Sequence, residues 1–550
     1  VLPHVLTVDE AMADGAPLLH DGMITKVVDP APEDPSNIAS KILHERGDLD
    51  QGFGEADSVV EREFTTKPVH QGYIEPHAAV ADANSDGRAN LWCSSQGHFQ
   101  MRAYTATVLG VSPGNIKVTA AEIGGGFGGK TVIYLEPLAV RLSQRAGRPV
   151  KLVMDRDEVF RATGPTSGTR IKVKMGATKD GKMTAAEVWM AYEAGAYAGS
   201  PVGAAGMTAI ACYDIPNFVV EGYDVVCNKP RVAAYRAPGA PMAAFAVESV
   251  VDELARNLEI DPIDIRLANA AVEGTQASYG PKFPRIGFVE TLEAIKDHPN
   301  YSEELGPNQG RGVSAGFWFN AGMMSSATVH INENGTATVV TGSPDIGGSR
   351  QSMALMAAEE LGIPYESIKP VVADTETVGF NDVTGGSRVT LATGAAVVDA
   401  CRLVVEDLRS RAAKTWDVEL DQVEWVEGQA QHIDGAQPPL SLGDLAKKSG
   451  RTGGPISANA SLNSRGVGAG FSTKLCDVEV DPETGVTRVI RYLTAQDAGR
   501  AISPDYVEGQ MQGGVVQGIG WALNEEYIHD SDVVMENPSF LDYRIPVASD

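Results

Sequence analysis

The stretch Gly124-Gly125-Gly126-Phe127-Gly128-Gly129-Lys130 decides how the rest of this chain is interpreted. Together with Thr131 it fits the pattern G-x-x-x-x-G-K-[ST], in which a glycine-rich loop at a helix start cradles phosphate groups. A β-rich run over residues 115–123 precedes the stretch, and a helix-like run follows it. On its own, the pattern predicts a nucleotide-binding P-loop.

A proline after the glycines argues against this interpretation. A P-loop lysine lies at the N-terminus of a helix, so the helix would begin near Gly129, and Pro137 would fall in its second turn. A proline there costs roughly 3 kcal/mol because it removes a backbone donor and clashes with the preceding turn. Pro137 instead predicts a helix from about Glu136 to Gly147, with Lys130 on a separate turn. A P-loop NTPase and a glycine-rich turn without a ligand both stay open as alternatives.

The composition argues against several classes of protein. The 550 residues suffice for two or more domains, and 43% hydrophobic and 21% charged residues are typical of a globular chain. A formal net charge of −27 argues against nucleic acid or an anionic membrane as partner. The sequence shows no run of 18 apolar residues and no secretory signal. Its five cysteines form no C-x-x-C pair, which excludes the usual zinc and iron–sulfur spacings and indicates reduced thiols in a cytoplasmic protein.

Apolar periodicity predicts a mixed α+β chain. Strands are expected at residues 59–64, 90–93, 116–119, 171–175 and 187–192, with hairpin turns at 179–182, 330–336 and 481–485. Helices are expected at residues 242–258, 351–361 and 395–412. The first of these helices should bury a stripe made of Met242, Phe245, Val250, Leu254 and Leu258. A polar run rich in proline and glycine at residues 297–311 predicts a domain boundary.

Four further segments place glycines beside polar side chains at a loop or a helix start. They are Ser94-Ser95-Gln96, residues 235–241, residues 384–390, and residues 509–514 with their continuation at 517–520. Backbone N–H groups in such segments can closely approach an anionic, polar ligand.

In this order, the segments strongly resemble the large subunit of the molybdenum hydroxylases, the xanthine oxidase and aldehyde oxidase family. The resemblance covers nearly the whole chain and implies two molybdopterin-binding domains, at residues 1–305 and 306–550. It begins after the hammerhead-like domain that opens the family's subunit and stops at residues 543–546, before the family's final segment. That segment carries the catalytic glutamate, so the resemblance implies truncation at both ends and assigns no base here.

The resemblance implies a role for individual residues. Gln96 matches a glutamine that hydrogen-bonds an oxo ligand of molybdenum, Phe127 a phenylalanine beside the metal, and Arg236 an arginine that stabilises charge on the substrate. The metal itself is held through the pterin dithiolene, without a protein ligand. Phe317 and Trp318 fall where the family places a ring against the substrate. The implied cofactor-binding residues are Gln96, Gly126, Phe127, Gly128, Arg236, Arg266, Gly347, Gly348, Gly386, Ser387, Val389 and Gln510.

Several of these positions also have simpler interpretations. Gln96 could be a surface amide, Arg236 the partner of a surface acid, and Arg266 a solvated helix arginine. Phe317 and Trp318 could be core residues. A separate group, His70, Glu75 and His77, has an unusual spacing for metal ligands and is interpreted as structural.

The chain also departs from the family pattern. Gly348 stands where the family commonly has a glutamine, and Gln512 replaces a common acidic residue. Thr131 stands where xanthine-type enzymes carry a glutamate, which puts purine specificity in doubt. Residues 237–239 lack the cysteine of the carbon monoxide dehydrogenases, which argues against a copper-bridged site.

The implied activity is hydroxylation of an aldehyde or an N-heteroaromatic carbon with water as the oxygen source. The implied cofactor is molybdopterin with molybdenum, its cytosine dinucleotide form being one option. Because the chain has neither iron–sulfur ligands nor a dinucleotide-binding unit, separate iron–sulfur and FAD subunits are implied, in a cytoplasmic dimer of heterotrimers. Neither nucleic acid nor membrane is expected as partner. A P-loop NTPase and a non-catalytic scaffold of the same fold remain the alternatives.

Overall fold

The structure is a computed structural model that describes residues 3–465 and 468–548. Within these ranges the strands are β1 Ile38–Arg46, β2 Ser58–Thr66, β3 Ala78–Ala83, β4 Ala89–Cys93, β5 Ile116–Ala120, β6 Val150–Val153, β7 Thr169–Ala177, β8 Met183–Gly195, β9 Asn217–Val226, β10 Gln309–Phe319, β11 Met323–Ile331, β12 Ala337–Thr341, β13 Ile368–Val372, β14 Val423–Val426, β15 Gln429–His432, β16 Leu440–Ser441, β17 Ser457–Ser464, β18 Ala469–Val480 and β19 Thr487–Gln496.

The helices alternate with these strands along the chain. They are α1 Val8–Met12, α2 Leu49–Gly54, α3 His98–Leu109, α4 Glu136–Ala146, α5 Arg156–Ala162, α6 Val202–Thr208, α7 Ala240–Asn257, α8 Pro262–Asn269, α9 Phe288–Lys296, α10 Pro299–Ser302, α11 Ser349–Leu361, α12 Gly394–Trp416, α13 Leu442–Lys447, α14 Ser449–Thr452 and α15 Pro504–Leu523. The expected α+β class is confirmed. None of the helices in the described ranges has the length and apolar character needed to cross a membrane.

Two sheets form in the first half of the chain. The larger has the strand order β1-β9-β8-β7-β2, and α7 packs against β7 and β2. Met242, Val250 and Leu254 of α7 are buried there, as the helical periodicity predicts. The smaller sheet has the order β5-β4-β3-β6 and is flanked by α3 and α4. This smaller sheet carries the glycine-rich loop after β5.

The second half forms three sheets. One has the order β13-β12-β11-β17 and is covered by α11 and α12, while β14-β15-β16 is a small neighbouring sheet. The third, β10-β18-β19, packs against α7 and α9. Its buried residues Val313, Phe317 and Leu475 therefore share one hydrophobic core with the first half. The division at residue 305 remains a prediction.

Most expected elements are present, with small shifts of their ends. The helix predicted from Pro137 begins at Glu136, and all three hairpin turns join antiparallel strands. One prediction about α7 is wrong, because Phe245 is 51% exposed and meets Phe64 of β2 edge-to-face at 5.3 Å. Periodicity placed Phe245 on the buried stripe, but the sheet ends at β2 and leaves that side of the helix uncovered.

Candidate functional site

The glycine loop lies between β5 and α4 and holds a backbone shape that few residues tolerate. Gly125, Phe127 and Gly128 have φ values of 91°, 52° and 110°. A β-carbon on Gly128 would lie 2.4 Å from the carbonyl oxygen of Ala234, so only glycine fits at this position. The loop therefore presses its backbone against the segment that leads to Arg236.

The loop is not built as a P-loop. Helix α4 begins six residues after Lys130, whose side chain is fully buried instead of reaching toward a ligand. The ammonium group of Lys130 lies 2.6 Å from Glu75 Oε2, and the hydroxyl of Thr131 donates to the carbonyl of Gly128. Both side chains that a P-loop offers to a nucleotide are engaged within the protein, so the structure gives the P-loop alternative no support.

Gln96 joins the glycine loop to the second half of the chain. Its Oε1 accepts hydrogen bonds from the backbone N–H groups of Gly128 at 2.8 Å and Lys130 at 3.2 Å. Its Nε2 donates to the carbonyl of Thr384 at 2.8 Å, and its side chain is 4% exposed. A β-carbon on Gly126 would lie 2.7 Å from Gln96 Oε1. Gln96 is thus a buried bridge between two loops, and its interpretation as a surface amide is wrong.

Arg236 links the same loop to α15. Its backbone N–H donates to the carbonyl of Phe127 at 2.8 Å. Its guanidinium donates to Gln517 Oε1 at 3.1 Å and to the carbonyl of Gln510 at 2.5 Å. Burial lowers the pKa of Arg236, which remains a cation because the unperturbed pKa of arginine is so high. Its partners are therefore polar groups of α15 and not a surface acid.

The segment at residues 509–514 forms neither a loop nor a helix start, which corrects the expectation for it. It lies inside α15, a continuous helix from Pro504 to Leu523. Arg236 lies against this helix: β-carbons on Gly513 and Gly514 would be in van der Waals contact with its guanidinium, at 3.6 and 3.4 Å. Gln510 therefore reaches the site from a helix.

Two glycine turns of the second half meet this region. Gly347 and Gly348, at the start of α11, have φ values of 72° and 88°. A β-carbon on Gly347 would lie 2.5 Å from Gln510 Nε2, and one on Gly348 would lie 2.3 Å from the ring of Tyr506. Both glycines therefore pack directly on α15.

The other turn, at residues 384–390, stands at the start of a long helix. Gly386 and Ser387 have φ values of 73° and 56°, and Val389 is buried at the first residue of a π-helical segment, Val389–Thr393, that runs into α12. The buried guanidinium of Arg388 donates to carbonyls of Gly322, Asp382 and Met324. These bonds fix the position of the turn, whose first residue, Thr384, is the partner of Gln96.

Three of the residues implied by the resemblance lie elsewhere. The fully buried guanidinium of Arg266 is held by Glu248 at 2.9 Å and by carbonyls of Pro262 and Val313, both at 2.8 Å. Arg266 is therefore a core residue, and its interpretation as a solvated arginine is wrong. Phe317 is 6% exposed and belongs to an aromatic core with Phe471, while Trp318, on the other face of β10, stacks on Phe319.

The histidines singled out by spacing are part of a buried polar chain. His70 Nε2 lies 3.1 Å from the hydroxyl of Thr163, which accepts a hydrogen bond from Tyr73 at 3.3 Å. The hydroxyl of Tyr73 is also 2.9 Å from His77 Nε2. Burial lowers the pKa of both histidines to about 3, so they are neutral at ordinary pH. These contacts support their interpretation as structural.

The arrangement leaves buried polar atoms open to a polar ligand. Two deeply buried acceptors, Gln71 Oε1 and Ser94 Oγ, have no hydrogen-bond partner within the described ranges, so each can accept from an N–H donor such as those of a pterin ring. Gln71 Oε1 would be 2.9 Å from a β-carbon on Gly129. A cavity of about 260 Å³ opens beside the start of α11, where Arg350 is paired with Asp345 and Glu122. These residues fit the molybdopterin that the resemblance implies.

Sequence reasoning missed Glu525, which lies two residues after the end of α15. It is 7% exposed, and the hydroxyl of Tyr543 donates to its Oε2 at 2.7 Å. That hydroxyl also accepts from the backbone N–H of His70 at 2.7 Å, which ties the end of the chain to the first half. Burial raises the pKa of Glu525 to about 7. A carboxylate two residues after an apolar helix was the only available signal.

We expect Glu525→Gln to stabilise the protein at pH 8. Burial raises the pKa of Glu525 from 4.5 to about 7 in the folded protein. The contribution of its neutral carboxyl group to the free energy of unfolding is therefore fully present below pH 4.5 and is lost as the pH rises through 7. Glutamine keeps the acceptor for Tyr543 without the charge, so the gain at pH 8 should be on the order of 2–3 kcal/mol. Urea unfolding at pH 5 and pH 8 measures it, with the exposed Glu508→Gln as control. An equal effect of Glu525→Gln at both pH values would contradict the assignment.

Comparison with known proteins agrees with this geometry. Molybdopterin cofactor-binding domain models match residues 31–270 and residues 291–550. The aldehyde oxidoreductase molybdenum-binding subunit PaoC of Escherichia coli (strain K12) is 30% identical over 525 residues, which cover 92% of this chain and 69% of PaoC. The nicotine 6-hydroxylase large subunit of Paenarthrobacter nicotinovorans is 29% identical, with 94% of this chain and 68% of the relative covered.

Solved structures of the same kind share the fold. Quinoline 2-oxidoreductase from Pseudomonas putida 86 superposes with a TM-score of 0.89 at 24% identity, covering 100% of this chain and 73% of that one. A Cu,Mo-CO dehydrogenase superposes with a TM-score of 0.91 at 25% identity, covering 100% and 75%. With two cofactor-binding domain matches and these relatives, the chain belongs to the xanthine dehydrogenase and aldehyde oxidoreductase family and is the molybdenum-cofactor-binding part of a molybdenum-dependent oxidoreductase.

Proposed function

We propose that the protein hydroxylates an aldehyde or an N-heteroaromatic substrate with water as the oxygen source. The observation that carries this proposal is the convergence of three segments: Gln96 joins the glycine loop to Thr384, and Arg236 joins that loop to α15. The reaction is R–H + H₂O → R–OH + 2H⁺ + 2e⁻, with an aldehyde giving a carboxylic acid. A bound molybdenum cofactor would supply the Lewis acid and the two-electron redox centre for it.

The residues of the chain would hold and orient the cofactor and would stabilise charge on the substrate. Backbone N–H groups of the glycine turns would hold the anionic groups of the cofactor; the candidates are Gly126, Phe127, Gly347, Gly348, Gly386, Ser387 and Val389. Gly128, whose N–H is bonded to Gln96, would allow a close approach of the backbone, and Gln510 would contribute its side chain from α15. The amide of Gln96, fixed by its own hydrogen bonds, would orient an oxygen of the cofactor. The guanidinium of Arg236 would stabilise negative charge that develops on the substrate. No base is assigned.

The substrate class rests on residues beside the loop. Thr131, which bonds to the carbonyl of Gly128, stands where the xanthine-type enzymes carry a glutamate, so purines are not the proposed substrates. No cysteine occurs at residues 237–239 to support a copper-bridged site. Phe317 is part of the core and Trp318 stacks on Phe319, so no aromatic residue is assigned to substrate contact. Named relatives act on nicotine, quinoline and aldehydes, which are compatible classes.

We assign the transfer of the two electrons to iron–sulfur and FAD groups on partner subunits, in a dimer of heterotrimers. One relative is subunit gamma of the 6-hydroxypseudooxynicotine dehydrogenase complex, which supports partner subunits in general. The cytosine dinucleotide form of molybdopterin and a cytoplasmic location belong to the same proposal; all five cysteines are free thiols.

Isotope labelling of the native complex tests this function. The complex is incubated with quinoline or xanthine in H₂¹⁸O, with an artificial electron acceptor and without oxygen. We expect one ¹⁸O atom in hydroxylated quinoline and little turnover of xanthine. A parallel reaction in unlabelled water under ¹⁸O₂ should leave the product unlabelled. Label derived from O₂, or turnover of xanthine alone, would overturn the proposal. Aldehydes are assayed by acid formation only, because their carbonyl oxygen exchanges with water.

A further inference from the structure

The Lys130 side chain, which sequence pattern assigned to phosphate binding, has a different set of contacts. It is fully buried, with its ammonium 2.6 Å from Glu75 Oε2 and 5.1 Å from the ring centroid of Tyr73. Glu75 is 31% exposed at its side chain and is the only carboxylate paired with Lys130 within the described residues. A buried charge of this kind needs its partner, so the pair is held together tightly.

The same carboxylate also holds the beginning of the glycine loop. Glu75 Oε2 accepts from the backbone N–H of Gly124 at 2.8 Å, and the N–H of Glu75 donates to the carbonyl of Gly124 at 3.2 Å. One carboxylate oxygen therefore contacts both the first and the last residue of the stretch from Gly124 to Lys130. The seven-residue loop is closed at its base by a single side chain.

The closed loop sets the position of the groups that face the cofactor. Between the two ends held by Glu75, the carbonyl of Phe127 accepts from Arg236, and the N–H of Gly128 donates to Gln96. A shift of the loop base would move both contacts together. A displacement of about 1 Å can lower the reaction rate about 100-fold in a well-oriented site. A shift at the base of the loop would therefore lower activity through these two contacts.

We propose that Lys130 and Glu75 are a positioning pair that holds the glycine loop in the shape needed to retain the molybdenum cofactor. This rests on the proposed function. Neither side chain touches the reacting atoms; both act through the loop backbone, through Gln96 and through Arg236. The pair replaces the phosphate-binding role that the G-x-x-x-x-G-K-[ST] pattern predicts for this lysine.

The test compares two buried lysine–glutamate pairs, of which only one closes the loop. Lys130→Met removes the ammonium group at the loop. Lys229→Met removes the ammonium of a pair with Glu193 at 2.9 Å, with side chains 15% and 9% exposed; within the described residues this ammonium has no hydrogen bond or ion pair with residues 124–130. Molybdenum and released pterin are measured per chain in the purified native complex after dialysis, together with the urea midpoint of unfolding.

We expect both variants to lower the urea midpoint, but only Lys130→Met to lose the cofactor. Its retained molybdenum and pterin should fall about tenfold, the equivalent of about 1.4 kcal/mol, while Lys229→Met stays near the wild type. Glu75→Gln, which keeps an acceptor for Gly124, should lie between the two. If Lys130→Met fails to fold, the double variant Glu75→Gln/Lys130→Met, which buries no unpaired charge, replaces it in the same comparison.

The outcomes separate the two proposals. Equal cofactor retention in Lys130→Met and Lys229→Met would overturn the positioning role and leave the proposed function standing. Loss of cofactor from both variants in proportion to their midpoints would also overturn it, because a purely structural role predicts that pattern. A wild-type complex without molybdenum or pterin would overturn the proposed function and the positioning role together.

Discussion

Gly128→Ala is expected to abolish cofactor retention. The added β-carbon would lie 2.4 Å from the carbonyl oxygen of Ala234 and 2.7 Å from its carbonyl carbon, and φ is 110°. Backbone atoms cannot move aside as a flexible side chain can, so the loop must shift away from residues 234–236. Since this shift displaces Phe127 from Arg236, we expect substrate turnover per chain to fall by at least about 100-fold. Molybdenum per chain and turnover are the measurements.

A substitution at a second glycine distinguishes the effect of backbone strain from the effect of steric contact. Gly110 also has a positive φ, 67°, but a β-carbon there would have no neighbour within 4 Å. Gly110→Ala should therefore cost only about 1 kcal/mol from strain and leave molybdenum content unchanged. Equal molybdenum content in the two variants would contradict the tight loop geometry.

Arg388→Ala is expected to be the most destabilising single change at the second-half turn. Arg388 is 1% exposed and donates to carbonyls of Gly322, Asp382 and Met324 at 2.9, 3.0 and 2.6 Å. Without Arg388 the carbonyls of Gly322 and Asp382 lose their donor, at about 1–3 kcal/mol each, while the carbonyl of Met324 keeps the N–H of Asp382, so the total loss should be at least about 2 kcal/mol. The apparent free energy of unfolding in urea measures this loss.

Two further variants serve as comparisons for Arg388→Ala. Arg388→Lys keeps the charge but has one nitrogen in place of a planar fork, so it should recover only part of the loss. Arg402→Ala removes an arginine of α12 whose side chain is 64% exposed and paired with Glu360; it should cost less than about 1 kcal/mol. A loss in Arg388→Ala no larger than that in Arg402→Ala would show that the buried contacts carry little stability.

Local sequence information was enough for much of the fold and for part of the site. Pro137 alone predicted the start of α4 at Glu136, because the ring excludes a helix that begins at the glycines. The hairpin at residues 330–336 followed from an Asn-Gly turn between alternating residues. Ser94 to Gln96 and residues 384–390 were recognised because glycines and small polar residues beside strand ends or helix starts are local features.

The rest depended on contacts between distant residues. The glycines of residues 509–514 suggested a loop, but the segment is helical and contacts Arg236, more than 270 positions away in sequence. The lysine of the P-loop pattern could be judged only once Glu75, 55 residues earlier, was known to be its partner. Likewise, Arg266 is explained by Glu248 and Val313, which share the core formed by both halves.

Elemental analysis of the purified native complex for molybdenum and iron tests the cofactor assignment most directly. We expect about one molybdenum atom per copy of this chain, because the candidate residues converge on one site within the described ranges, and we expect iron from a partner subunit. The Gly128→Ala complex should contain iron without molybdenum, since its partner is unchanged. A wild-type complex with neither molybdenum nor pterin, prepared without chelators, would contradict the assignment.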